Sequence, residues 1–98
     1  MYVNFSKQKL KKVKQQFIDD GIEIVGFFGS FAKKKNDEYS DIDIAYKINY
    51  DLFFKKYKDG FSQILKIQEI KETLQQIFHK KVDFVPLNDK IKKELINV

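Results

Sequence analysis

Gly29-Ser30, ten residues, then Asp41-Ile42-Asp43 is the pattern in this chain best suited to chemistry. An apolar run from Ile22 to Phe28 leads into the Gly-Ser, and a second, from Ile42 to Ile48, carries the aspartates. Two carboxylates two residues apart on a strand point to the same face, roughly 7 Å apart along the chain. Such a pair can hold a divalent cation, and a Gly-Ser turn at a strand end can hold phosphate. Together they point to metal-dependent chemistry on a nucleotide. With each residue type at roughly 5–7% of an average protein, the combination arises by chance about once in a thousand chains this short. It therefore says more than a lone glycine motif. The competing reading, two solvated carboxylates on an edge strand, has the Gly-Ser and a later Asp83 against it. Asp83 by itself, next to Lys80 and Lys81, reads equally well as a surface pair.

The elements that must position these residues follow from periodicity. Ser6 can cap a first helix over Lys7 to Asp20, with Leu10, Val13 and Phe17 at helical spacing and Gly21 as its stop. Ile22 to Phe28 reads as a buried strand, Ser30 to Lys34 as a short helical turn, and Lys35 to Ser40 as polar loop. Asp41 to Ile48 is the second strand, with Ile42, Ile44 and Tyr46 on one face and Asp41, Asp43 and Ala45 on the other. Asp51 to Lys58 is a short helix or irregular segment, and Asp59-Gly60 a turn. A long helix is expected over Ser62 to Phe78, its stripe being Ile64, Ile67, Ile70, Leu74, Ile77 and Phe78. Lys81 to Pro86 is the third strand, and Asn88 caps a last short helix through Leu95. The alternation predicts an α+β, two-layer fold: a small mixed sheet with helices packed on one face. Val82 and Phe84 then face the helices, and Asp83 joins the aspartate pair if its strand is their neighbour.

The stretch GFFGSFAKKKNDEYSDIDIAYKI resembles the nucleotidyltransferase superfamily, and within it the small minimal nucleotidyltransferases; KKVDFVPL resembles their third-carboxylate strand. The resemblance covers nearly the whole chain and implies one minimal nucleotidyltransferase domain over residues 1–98. It implies that Asp41, Asp43 and Asp83 are catalytic and bind two Mg2+ ions, with Asp83 helping to deprotonate the attacking hydroxyl. It implies that Gly29, Ser30 and Lys33 bind the phosphates of a nucleoside triphosphate, ATP in the first instance. Lys33-Lys34 stands where the family usually has Arg-Gly, so positive charge is kept while the bidentate fork and the glycine are lost. The chemistry suits the set: in-line attack at the α-phosphorus builds charge that two magnesium ions can stabilise. Three aspartates on one face repel one another without a cation, which raises at least one pKa. Minimal members resemble antitoxins that transfer AMP to a tyrosine hydroxyl of a helical HEPN-type toxin, and that partner and role are implied here.

Composition bounds the alternatives. The chain has 98 residues, enough for one modest core, and is 43% hydrophobic and 34% charged. It has no cysteine, hence no disulfide, thiolate zinc site or thiol nucleophile. No apolar stretch approaches a membrane span, and Met1-Tyr2-Val3-Asn4 lacks the organisation of a secretory signal, so a cytoplasmic location is expected. All 19 cationic side chains are lysine, giving a net charge of +5. That balance suits nucleotides or an acidic partner, but no nucleic-acid-binding motif is present, and nucleic acid ranks last among partners. Tyr46 and Tyr50 are aromatic candidates for stacking on a base, although core packing is the commoner role. His79, the only histidine, sits at a helix end and reads as a helix partner or surface residue rather than a base. Two further functions compete with the enzyme: an antitoxin that neutralises its partner by binding alone, and a nucleic-acid binder.

Overall fold

A computed structural model describes residues 5–35, 37 and 39–98. Met1 to Asn4, and positions 36 and 38 of the expected Lys35 to Ser40 loop, lie outside the described residues. The helices are α1 (Lys7–Val13), α2 (Tyr50–Lys56), α3 (Gly60–Phe78) and α4 (Asp89–Lys92). The strands are β1 (Ile22–Phe28), β2 (Ile42–Ile48), β3 (Val82–Pro86) and β4 (Ile96–Asn97). They form one mixed sheet in the order β3-β2-β1-β4. β1 pairs antiparallel with β2 and β4, and β2 pairs parallel with β3 across the α2–α3 crossover.

The helix starts follow from their caps. Side chains of Ser6, Asn49, Asp59 and Asn88 each accept a backbone N–H of the first turn, which satisfies donors that a helix leaves unpaired. One cluster of buried side chains joins the layers. Leu10 and Val13 of α1, Phe53 of α2, and Ile70, Leu74 and Phe78 of α3 pack on Ile24, Phe27, Ile42, Ile44, Tyr46 and Val82 of the sheet. Each such side chain contributes about 1.5–3 kcal/mol when fully buried.

Three expectations need correction. The first helix ends at Val13, and two 3-10 turns (Lys14–Gln16 and Ile18–Asp20) carry the chain on to Gly21. The tighter winding keeps Phe17 in the core, and Gly21 turns into β1 at φ 89°. The stripe of α3 begins at Ile67, not Ile64, which is 69% exposed. A 19-residue helix of roughly 28 Å overruns a five-residue strand of roughly 17 Å, so its first turns find no sheet to cover. The last helix stops at Lys92, and the chain then adds β4. The strand expected over Ile22 to Phe28 forms as β1, with a bulge inside it. Its register on β2 shifts between Ile24 and Gly26, and this bulge brings both Ile24 and Phe27 into the core.

Candidate active site

The strand register assembles the carboxylates. Phe28 on β1 pairs with Asp43 on β2, which pairs with Asp83 on β3, making one row across three strands. Alternation puts this row on the sheet face opposite the helices, because Ile42, Ile44 and Val82 belong to the core. Asp41 lies just before β2, not within it, and the N–H of the next residue, Ile42, donates to the Lys81 carbonyl at 3.0 Å.

Gly29 ends β1 at φ 73°, a backbone conformation that favours glycine. A Cβ at this position would overlap the Asp43 carboxylate. Gly29 is thus fixed by two constraints: the left-handed turn and the close approach of a candidate metal ligand. From it the chain winds one tight turn, Lys33 N–H donating to the Gly29 carbonyl at 3.0 Å and Lys35 N–H to the Ser30 carbonyl at 2.9 Å. Lys34 takes φ 57°, again left-handed, at the position where the related motif carries glycine. The turn therefore keeps a glycine-like path at the lysine's expense.

Electrostatics single out Asp43. Burial is the largest cause lifting its carboxyl from the ordinary 3.8 to about 6. A hydrogen bond with the Asp83 carboxyl and the charges of Asp83, Asp41 and Glu94 push the same way. The expectation of a raised carboxylate rested on mutual repulsion, whereas desolvation leads here. Among the described residues, no three His, Cys, Asp or Glu side chains form a metal-holding group by themselves. Two adjacent carboxylates with phosphate and water oxygens completing the shell are nonetheless the set magnesium favours. The crowded, partly desolvated Asp43–Asp83 pair fits such a cation on that ground.

Of the residues singled out in the sequence, Gly29, Asp43 and Asp83 are brought together, and Asp41 stands close enough to act on Asp43. The Lys33 ammonium lies 3.7 Å from the Glu94 carboxylate. The other oxygen of Glu94 accepts the Gly29 N–H at 3.2 Å. Glu94 is the site residue that the sequence did not reveal. It follows Lys92-Lys93 in an unpatterned charged run, and its partners are 61 and 65 positions away. Tyr46 is buried and stacked on Phe84 with ring centroids 4.3 Å apart, which removes it as a base-stacking candidate. Tyr50 is exposed and packs edge-on against Phe54. His79 caps α3 in the left-handed conformation, exposed.

Known proteins share this fold. The polymerase-beta nucleotidyltransferase family pattern matches residues 8–97, and the chain belongs to that family. No curated protein matches it. Among solved structures, a chain described as a candidate minimal nucleotidyltransferase is 20% identical with a TM-score of 0.67, covering 96% of this chain and 97% of that one. A toxin–antitoxin crystal structure with AMP-PNP is 22% identical with a TM-score of 0.59, covering 84% of this chain. This chain spans 57% of the length of that one. At such identities the likeness is one of fold.

Proposed function

We propose that this chain is a magnesium-dependent nucleotidyltransferase that moves AMP from ATP to a tyrosine hydroxyl of a HEPN-type toxin, and so acts as an antitoxin. The observation that carries the reading is the Phe28–Asp43–Asp83 row with the Gly29 turn packed against the Asp43 carboxylate. It sets an acidic pair beside a backbone turn able to receive phosphate.

In this reading the Gly29 N–H and the Ser30 hydroxyl and N–H donate to the β- and γ-phosphates, with Lys33 adding positive charge. Asp41, Asp43 and Asp83 would hold Mg2+, which when bound offsets charge on the attacking and leaving oxygens. Asp83 accepts the proton of the acceptor hydroxyl. The acceptor oxygen forms its bond to the α-phosphorus as the bond to pyrophosphate breaks, and pyrophosphate leaves. Phe61, Ile64 and Leu65, exposed by 74, 69 and 52%, leave apolar surface of the kind a protein partner covers. The toxin–antitoxin neighbour points the same way. A cytoplasmic setting goes with this role.

The Lys33-Lys34 departure favours a second reading, neutralisation by binding alone. Co-expression with a candidate HEPN-type toxin separates the two. Loss of protection in Asp41→Ala/Asp43→Ala, with the complex still forming, supports transfer. Protection that survives the double substitution supports binding alone.

A further inference from the structure

The Gly29 turn already has an anion on it. One oxygen of Glu94 accepts the Gly29 N–H at 3.2 Å, and the other faces the Lys33 ammonium at 3.7 Å. A phosphate group approaching the turn needs the same two donors. The contact is built in by the sheet. β4 runs antiparallel to β1 with Ile96 opposite Phe27 and Asn97 opposite Gly26. Continuing that register brings Glu94 opposite Gly29. A Cβ at Gly26 would collide with the Ile96 carbonyl, so the glycine inside an otherwise apolar strand is what lets β4 dock this closely. The Val98 N–H donates to the Val25 carbonyl at 3.1 Å, and Lys14 Nζ to the Val98 carbonyl at 3.0 Å, holding the segment in place.

We propose that Glu94 is an internal competitor for the triphosphate seat: its carboxylate occupies the Gly29–Lys33 donors until nucleotide expels it. The inference rests on the nucleotide reading of that turn. Its consequence is quantitative. If the seat is filled in most molecules, apparent affinity falls by the fraction left open. The Lys33 and Glu94 side chains are 55 and 37% exposed, so the hold is moderate and removing it should tighten binding about three- to tenfold.

The test is calorimetric titration of ATP with Mg2+, inorganic tripolyphosphate and adenosine into wild type, Glu94→Gln and Glu94→Ala. Gln keeps an acceptor for the Gly29 N–H and so preserves docking; Ala empties the seat. Asp89→Asn, a nearby carboxylate outside the seat, controls for a general change in charge. The expected result is three- to tenfold tighter binding of ATP and tripolyphosphate in Glu94→Ala and a smaller gain in Glu94→Gln, with adenosine and Asp89→Asn unchanged. Equal affinity in wild type and both Glu94 variants overturns the competition while leaving the nucleotide reading intact. Weaker binding in the Glu94 variants also overturns it and makes Glu94 a contributor to the site. No triphosphate binding by any of the proteins overturns the nucleotide reading and the competition together.

Discussion

Asp43 is held against the Gly29 turn and beside Asp83, where its charge is least welcome. Its folded value of about 6 lies above the ordinary 3.8. The group therefore favours the fold below about pH 4, and that contribution is lost as pH rises through about 6. At pH 7 to 8 the folded state carries an ionised carboxylate in a partly desolvated row. Asp43→Asn should raise the melting temperature by a few degrees at that pH, with the gain fading by pH 4. Added Mg2+ should stabilise wild type and leave Asp43→Asn nearly unmoved; a thermal-shift series in pH and Mg2+ reads both. Equal melting of the two proteins at pH 8 would contradict the account of this carboxyl. The aspartates were legible in the sequence because their spacing on a strand dictates a shared face. Glu94 was not, because nothing local in Lys92-Lys93-Glu94-Leu95 distinguishes a docked carboxylate from a solvated one.

Among the elements, the β1–β2 connection shows what substitution within the motif costs. Lys34 sits at φ 57°, where a side chain costs about 1–2 kcal/mol and glycine's extra chain entropy takes back about 0.5–1 kcal/mol. Lys34→Gly should therefore stabilise the protein by about 0.5–1 kcal/mol in urea unfolding, and a loss of stability would contradict the strain. A second junction depends on charge. Asp20, 16% exposed, accepts Lys56 Nζ at 2.7 Å and the Tyr57 hydroxyl at 3.2 Å, with Lys66 Nζ at 3.5 Å. Burial alone would raise its carboxyl, but the Lys56 hydrogen bond and the charges of Lys66 and Lys56 outweigh it and hold the pKa below 3.8. That stability is present at neutral pH and is lost as pH falls through the lowered value, opposite in sense to Asp43. Asp20→Asn removes the charge that Lys56 and Lys66 share and leaves Lys66, 15% exposed, with only the exposed Glu69 at 3.5 Å, so it should cost about 1–3 kcal/mol in the same unfolding assay. No cost would mean the cluster is a loose surface pair. Periodicity found β1, β2, α3 and β3 because each has a sustained apolar face. It missed the β1 bulge and the two-residue β4, which depend on register and long-range pairing and leave no periodic trace. It ran the first helix on to Asp20 because Phe17 continues the helical spacing after the winding has changed.

As a whole, the molecule devotes one sheet face to the core and the other to a row of carboxylates, with the Gly29 turn at the row's edge. The two-layer arrangement was legible before the structure, since alternating helical and strand segments leave few ways to bury both layers. The catalytic use of the free face rests on the cation and triphosphate it would receive. Among the described residues, no helix is long and apolar enough to cross a membrane. The most direct measurement is transfer of AMP from α-labelled ATP in the presence of Mg2+, offered a candidate HEPN-type toxin as acceptor. Wild type is compared with Asp41→Ala/Asp43→Ala. The account predicts label on a tyrosine of the partner with wild type, and at least a hundredfold less with the double variant, as expected when charge-stabilising groups are removed (about 10²–10³ for a single donor). A partner that binds wild type tightly and acquires no label would contradict it.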